Sequence, residues 1–378
     1  MSASLESAPS SGQSAGPWKS ILLSMLVLAT VFAVRGHLLA WLVGGRYRWT
    51  TLVVDCVVLA LVILALRLLD LGVKRWTRRW LGEATRARRA LGVAVSWSVV
   101  FLIAAPFLIA LVQFHPQKIA CGGTPAALGL PYEEVTLAAD GLQLAAWHLP
   151  AAAPERPVVV VCHGLGANKQ NFLPVAQLLH GLDYHVIIFD FRGHGDSDGR
   201  TFSFGVRESA DVRAAVEQAR ALHPASKMYG LGYSVGGSAL LKAAAELPDG
   251  QGFDRLVLDS TFARAEDVAL HSMLWFFGPV KRPVWFVGRC WGQVFTGVDV
   301  GTHNPEDYLA QLTCPVLLIH GDADDMIPPS QAARLQTTAG RHGQLWLVAD
   351  AGHLQPMGHP AYRERLQQFF DQNEKNAP

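Results

Sequence analysis

The pentapeptide Gly232-Tyr233-Ser234-Val235-Gly236 offers a serine hydroxyl that could act as a nucleophile. It follows an apolar run at 228–231 that is typical of a strand, and it precedes an alanine-rich helical pattern at 238–246. A sharp strand-to-helix turn needs glycines on both sides of the serine, because larger side chains would collide with its tight backbone. Such a turn exposes the hydroxyl above the edge of a sheet, where a base and a substrate can reach it.

Acyl transfer is the chemistry that this serine could perform. A serine hydroxyl is a weak nucleophile at its own pKa, so it needs a base to take its proton and an acid to orient that base. His353 and His359 are the candidates for the base. The candidates for the acid are Asp259, Asp322, Asp324 and Asp325.

The elements that must position these groups are predicted by alternating apolar runs and helical patterns after residue 131. The predicted strands are 134–138, 142–148, 158–162, 185–189, 228–233, 255–258, 315–320 and 345–348. The last six are near-continuous Val, Ile and Leu, as in buried parallel strands. The predicted helices lie at about 172–182, 206–222, 238–246, 331–338 and 360–370. This alternation indicates a doubly wound α/β domain, whose ligands bind beyond the carboxyl ends of the strands.

Polar motifs follow four of these strands. They are His163-Gly164-Leu165-Gly166, the Ser234 turn, His320-Gly321-Asp322-Ala323-Asp324 and Gly352-His353. The tetrahedral oxyanion of acyl transfer needs two preorganised N–H donors, and we predict the amides of Leu165 and Val235 for this role. We expect His163 to shape the loop of Leu165 rather than to transfer a proton.

The motifs together resemble the serine hydrolases of the α/β-hydrolase fold, in the monoglyceride-lipase-like and serine-aminopeptidase-like branch. The resemblance rests on His163-Gly164, the segment Phe189–Ser197, the Ser234 turn, the block His320–Pro328 and Gly352-His353, and it covers about 250 residues of the chain. It implies that Ser234 is the nucleophile, Asp324 the acid and His353 the base, while His359 begins the closing helix. Some members carry the acid after the sixth strand, where Asp259 lies. Arg192 and His194 are implied to be structural.

The resemblance implies an eight-stranded, mostly parallel sheet with helices on both faces and a lid insertion at about 262–312. The chain has 378 residues, of which 50% are hydrophobic. This length is sufficient for the hydrolase domain and an additional membrane region. Apolar stretches at about 20–43, 51–70 and 90–114 predict two or three transmembrane helices. We therefore divide the chain into a disordered tail (1–17), an anchor (18–114), a linker (115–131) and a hydrolase domain (132–373).

Loop charge predicts the orientation of the anchor. Seven Lys and Arg residues lie between the second and third apolar stretches, and such loops are typically cytoplasmic. The third stretch then leads the hydrolase domain to the extracytoplasmic side. A cleaved signal peptide fits the first stretch less well, because only Lys19 precedes it and two more apolar stretches follow. A net charge of +1 argues against a nucleic-acid partner.

The substrate is less clearly indicated than the reaction. The lid contains aromatic residues that could shape an acyl pocket, meet the bilayer surface, or only pack onto the domain. These are Trp275, Phe276, Phe277, Trp285, Phe286, Trp291 and Phe295. We expect hydrolysis of a hydrophobic or lipid ester, with a peptidase, an acyltransferase or a non-catalytic binding protein as alternatives. No metal-ligand cluster, phosphate loop or dinucleotide fingerprint is found, so we predict neither a metal nor a cofactor. The scattered cysteines predict no disulfide framework, and the oligomeric state is left open.

Overall fold

The computed structural model describes residues 105–248 and 250–372, together with 46–47 and isolated positions between 67 and 98. The side chains of 46–47 and 273–276 lie outside the described part. Residues 40–48 and 101–378 belong to one compact unit, which contains the central sheet and the candidate active site. Within the described residues, no helix has both the length and the apolar composition needed to cross a membrane. The predicted spans 20–43 and 51–70 lie almost wholly outside these residues, and 90–114 is described continuously only from residue 105.

An eight-stranded sheet forms the centre of this unit. Its strands are β1 (Glu133–Ala139), β2 (Leu142–Leu149), β3 (Val158–Cys162), β4 (His185–Phe189), β5 (Met228–Tyr233), β6 (Arg255–Asp259), β7 (Val316–Gly321) and β8 (Gly343–Val348). The order across the sheet is β8-β7-β6-β5-β3-β4-β2-β1. Only the pairings of β2 with β1 and β4 are antiparallel. The predicted eight-stranded, mostly parallel sheet is confirmed.

The helices in the described part are named in chain order. They are α1 (105–114), α2 (Leu173–His180), α3 (Glu208–Leu222), α4 (Val235–Glu246), α5 (Ala265–Phe277), α6 (Lys281–Thr296), α7 (Pro305–Leu309), α8 (Pro329–Ala339) and α9 (Tyr362–Asp371). Helices α5, α6 and α7 fall within the predicted lid insertion. A short antiparallel ladder joins Arg46–Tyr47 to Ile119–Ala120.

Both faces of the sheet are covered, which explains the unbroken apolar runs. In β3, Val158, Val160 and Cys162 belong to one buried cluster with residues of α3, α4 and α8. Val159 and Val161 belong to the other, with residues of α2 and α9. Because successive side chains of a strand point to opposite faces, every residue of such a strand must be apolar.

Two turns explain how the sequence defines its element boundaries. Asp140 and Gly141 join β1 to β2 with φ of 49° and 78°, a two-residue hairpin turn that Asp-Gly favours. Helix α4 begins at Val235, whereas the alanine pattern predicted its start at 238. The glycines Gly236 and Gly237 disfavour a helix, but close packing requires them there, since a Cβ on Gly237 would lie 2.0 Å from Thr261 Oγ1.

Candidate active site

Ser234 lies in a strained turn between β5 and α4. Its φ is 53° and its ψ is −120°, a conformation that costs energy for any residue with a Cβ. A Cβ on Gly232 would lie 2.5 Å from Gly237 Cα, and one on Gly236 would lie 2.3 Å from the Cys162 carbonyl oxygen. The two glycines of the pentapeptide are therefore required sterically. The amide of Ser234 donates to the Asp259 carbonyl oxygen at 2.8 Å, which ties the turn to β6.

The side chains of Ser234, His353 and Asp324 form a hydrogen-bonded chain. His353 Nδ1 is 2.8 Å from Asp324 Oδ2, and His353 Nε2 is 3.2 Å from Ser234 Oγ. A carboxylate only accepts, so Nδ1 carries the proton and Nε2 is the acceptor. The serine hydroxyl then donates to Nε2, the arrangement in which the imidazole can take the serine proton.

Asp324 is held as an acceptor by several donors. Its Oδ1 accepts from the amides of Met326 at 3.0 Å and Ile327 at 2.8 Å. Burial by itself raises the pKa of this carboxyl, but the hydrogen bonds from His353 and the Ile327 amide outweigh it and lower the pKa below its usual value. Asp324 therefore stays ionised, as a group that orients an imidazole must.

The other candidates for base and acid point elsewhere. His359 is exposed, and its ring lies against Trp346 with the centroids 5.4 Å apart. Asp322 is exposed, and its Oδ1 accepts from the Asp350 amide at 2.7 Å, so it joins the loops after β7 and β8. Asp325 is exposed as well, and no side-chain bond joins it to His353 in the described residues.

Asp259, the remaining acidic candidate, is fully buried beside this chain. Its Oδ2 accepts from the Tyr362 hydroxyl at 2.9 Å and its Oδ1 from the Ser260 hydroxyl at 3.0 Å. Burial raises the pKa of Asp259 to about 7, because few charged partners compensate the lost solvation. Ser260 Oγ also accepts from the amide of Leu354 at 3.3 Å, so this cluster holds the residue next to His353.

The predicted oxyanion donors lie in the two loops that meet at Ser234. A Cβ on Gly164 would lie 3.5 Å from Ser234 Cβ, so the loop of Leu165 passes directly beside the serine. Neither the Leu165 amide nor the Val235 amide has a hydrogen-bond acceptor within the part of the chain that the structure describes. Two unpaired N–H groups next to a nucleophile are what a developing oxyanion requires.

His163 fixes the peptide that carries the Leu165 amide. The Phe191 amide donates to His163 Nε2 at 3.1 Å, so Nδ1 carries the proton and donates to the Gly164 carbonyl oxygen at 2.7 Å. In a trans peptide the Leu165 N–H then points away from His163. Burial lowers the pKa of His163 to about 4, so the ring is neutral. Both ring nitrogens are engaged, in keeping with a structural role.

The segment that follows β4 is hydrogen-bonded to the loop of Leu165. Gly166 donates its amide to His194 Nε2 at 3.1 Å, and His194 Nδ1 donates to the Arg192 carbonyl oxygen at 3.0 Å. The Arg192 guanidinium pairs with buried Asp211 at 2.6 Å. Removing one partner of such a buried pair leaves an uncompensated charge, which is costly. These contacts agree with the structural roles expected for His194 and Arg192.

Among the described residues, two clusters offer ligand types that metals accept, and neither includes Ser234, Asp324 or His353. His148, His185 and His223 have ligand atoms within 4.8 Å of one another, but His185 already accepts from the Ala151 amide and contacts the Ala153 carbonyl oxygen. The second cluster consists of Cys121, Asp190 and Asp196. There, Lys169 Nζ contacts both carboxylates, at 2.6 Å and 3.0 Å. Its ammonium occupies the position that a cation would take.

The aromatic residues of the lid have several environments. Trp291 and Phe295 pack on Phe107 of α1, with ring centroids 4.8 Å and 5.8 Å apart. Phe286 is 64% exposed. Phe277 and Trp285 line an apolar cavity next to α1. The side chains of 275–276 lie outside the described part.

Two features of the site were not predicted from the sequence. The hydrogen bond between Ser260 and Leu354 joins the end of β6 to the loop of His353. The only sequence feature that could have indicated this bond is the serine that directly follows the candidate acid Asp259. Helix α1 packs on the lid, although the sequence analysis placed residues 105–114 in the anchor and put a linker between them and the hydrolase domain. Sequence periodicity indicates local structure and does not predict contacts between distant segments such as α1 and the lid.

Comparison with known proteins agrees with this fold. The sequence profile of the α/β hydrolase fold matches residues 157–284. An uncharacterized protein of Mycobacterium tuberculosis is 30% identical over 222 residues, which are 57% of this chain and 70% of that protein. An uncharacterized membrane protein of Saccharomyces cerevisiae is 25% identical over 218 residues, 57% of this chain and 70% of that protein.

A solved structure shares the fold. An esterase of Pyrococcus furiosus superposes with a TM-score of 0.57 at 22% identity, over 68% of this chain and 97% of that chain. The sheet order and the strained turn at Ser234 are features of the α/β hydrolase fold. The chain belongs to the α/β hydrolase family.

Proposed function

We propose that the chain is a membrane-anchored serine hydrolase that cleaves carboxylic esters through an acyl-enzyme, in the monoglyceride-lipase-like and serine-aminopeptidase-like branch. The observation that carries this proposal is the hydrogen-bonded chain from Asp324 through His353 to Ser234. A serine in a strained turn, an oriented imidazole and two unpaired amides are together the groups that acyl transfer requires.

Each side chain has one role in the proposed reaction. His353 Nε2 takes the proton of Ser234 Oγ as the oxygen attacks the ester carbonyl carbon, and the amides of Leu165 and Val235 stabilise the resulting oxyanion. The tetrahedral intermediate expels the alcohol, which receives the proton from His353. Water then attacks the acyl-enzyme with His353 as base, and the carboxylic acid leaves with Ser234 restored. Asp324 orients His353 and stabilises its protonated form.

The membrane part of the proposal rests on the sequence. The apolar stretches at 20–43, 51–70 and 90–114 anchor the chain, and the basic loop before residue 90 keeps the hydrolase domain on the extracytoplasmic side. The membrane description of the yeast relative supports an anchor.

Covalent labelling tests the nucleophile directly. The full chain in detergent should react with a fluorophosphonate probe and hydrolyse p-nitrophenyl butyrate, and Ser234→Ala should abolish both. Ser238→Ala is the matched control, because Ser238 lies one turn further along α4, is fully buried and donates to the Phe204 carbonyl oxygen at 3.2 Å. Labelling that persists in Ser234→Ala, or no hydrolysis by the wild type, contradicts the proposal.

A further inference from the structure

An apolar cavity of about 330 Å³ lies between helix α1 and the lid helices α5 and α6. Helix α1 contributes Ile109 and Phe114, and the lid contributes Ala269, Trp285 and Gly288. The polar groups among the lining side chains are those of Gln113 and Ser272 and the indole N–H of Trp285. A sugar or a peptide in this space would leave most of its polar groups without hydrogen bonds, which is unfavourable.

The cavity is attached to the two elements that hold the nucleophile. Phe262 lines it and follows β6 by three residues, and the Asp259 carbonyl at the end of β6 accepts from the Ser234 amide. Phe204 lines it as well, and its carbonyl oxygen accepts from Ser238 Oγ, one turn after Ser234 in α4. A chain held in this cavity therefore lies beside the elements that carry the reacting serine.

Helix α6 is fitted closely to α1 around this cavity. A Cβ on Gly292 would lie 2.4 Å from Phe114 Cζ, and one on Gly288 would lie 3.9 Å from the Pro106 carbonyl oxygen. The spacing of these glycines, four residues apart, lets two helices approach each other as in membrane helix pairs. The outer side of α6 exposes an apolar stripe of Phe286, Cys290 and Val294, the last 70% exposed.

We propose that this cavity holds the linear alkyl chain of a lipid ester, and that the chain enters it from the bilayer along α1. The inference rests on the proposed ester hydrolysis and names its substrate class. Helix α1 is the end of the apolar stretch 90–114, so the cavity has one wall built from the predicted anchor. The exposed stripe on the neighbouring helix α6 presents apolar surface where a bilayer would lie. Each methylene buried in such a cavity favours binding by about fourfold.

A chain-length series on the full chain tests the cavity. Gly288→Leu fills the space between α6 and α1, whereas Gln293→Leu adds the same side chain on the exposed face of α6. We expect Gly288→Leu to lower kcat/KM on p-nitrophenyl dodecanoate at least about tenfold, the equivalent of one or two lost methylene contacts, with p-nitrophenyl butyrate unchanged. Gln293→Leu should change neither. Equal losses of activity on the two esters in Gly288→Leu overturn the inference.

Photolabelling gives a second measurement that does not depend on turnover or on the folding of Gly288→Leu. A C12 ester with a diazirine at the end of its alkyl chain is added to the full-length Ser234→Ala protein in vesicles, and the labelled peptides are mapped by mass spectrometry. Labels on α1, α5 or α6 support the cavity, and labels confined to other segments overturn it. Absence of Ser234-dependent hydrolysis in the wild type would instead refute the proposed function.

Discussion

At the scale of single residues, the buried carboxylates of Asp324 and Asp259 both lie near the loop that carries His353, but their environments differ. Asp324 accepts from His353 and two amides, which lowers its pKa, whereas Asp259 accepts only from hydroxyl groups, and burial raises its pKa to about 7. An ionised carboxylate bonded to Nδ1 fixes the tautomer of His353 and also stabilises the protonated ring, and of these two carboxylates Asp324 makes this contact. These contacts favour Asp324 over Asp259 for the orienting role in the proposed reaction.

Replacing each carboxylate separately tests this assignment. Asp324→Asn should lower kcat by about 10³- to 10⁴-fold, since serine proteases lose a similar factor when the corresponding acid can no longer orient the imidazole. Asp259→Asn is the matched control and should lower kcat by less than about tenfold, because it contacts His353 only through Ser260 and Leu354. A larger loss in Asp259→Asn would make Asp259 the acid, as in other members of the family.

The raised pKa of Asp259 predicts a pH dependence of stability. Between the usual value of 3.8 and about 7, the folded state binds more protons at this carboxyl than the unfolded state. The free energy of unfolding contributed by Asp259 therefore falls as the pH rises through this range. Denaturant titrations of wild type and Asp259→Asn from pH 4 to pH 8 should show the wild type losing stability relative to the variant. A constant difference between the two proteins would contradict the raised pKa.

At the scale of elements, the lid is joined to the segment that precedes the hydrolase domain. Helix α6 packs through Gly292 on Phe114, and Phe114 contacts Phe204 with ring centroids 5.4 Å apart. The Phe114 carbonyl oxygen accepts from the Phe202 amide at 2.9 Å. These contacts make α1 part of the framework around the apolar cavity.

A pair of substitutions measures the contact between α6 and α1. Gly292→Ala should destabilise the full chain by about 1–3 kcal/mol, because its Cβ overlaps the Phe114 ring. In a Phe114→Ala background the overlap is gone, so the same substitution should cost less than about 0.5 kcal/mol. Thermal or denaturant unfolding of the four proteins gives the coupling. Additive effects would show that α6 and Phe114 are not in contact in solution.

At the scale of the whole molecule, the proposed orientation exposes the lid outside the cytoplasm. Cys290 on α6 is exposed, Cys162 is buried, and Cys121 and Cys314 are partly buried. Because Cys290 lies on the stripe proposed to face the bilayer, the topology probe is placed on α9: Gln367→Cys, at an exposed position, is introduced in a Cys290→Ser background. A membrane-impermeant maleimide should label this variant in intact spheroplasts and should label the Cys290→Ser protein much less. Labelling of Gln367→Cys only after permeabilisation would contradict the proposed topology.

The sequence alone determined the eight strands, their parallel arrangement and the turn of Ser234, because each depends on local pattern. Unbroken Val and Ile runs indicate strands buried on both faces, and two glycines around a serine indicate a turn that excludes Cβ atoms. The start of α4 at Val235 departed from the alanine pattern, because packing against Thr261 overrides the low helix propensity of glycine.

Only the tertiary structure decided which of the candidate acids and bases meet Ser234. Asp322, Asp324 and Asp325 are close neighbours in sequence, but it is Asp324 that contacts His353. Its carboxylate is held in this position by hydrogen bonds from backbone amides of the turn after β7, such as that of Ile327. The contact of α1 with the lid likewise joins segments more than 170 residues apart, such as Phe114 and Gly292. Contacts of this kind depend on the path of the whole chain and leave no periodic signal in the sequence.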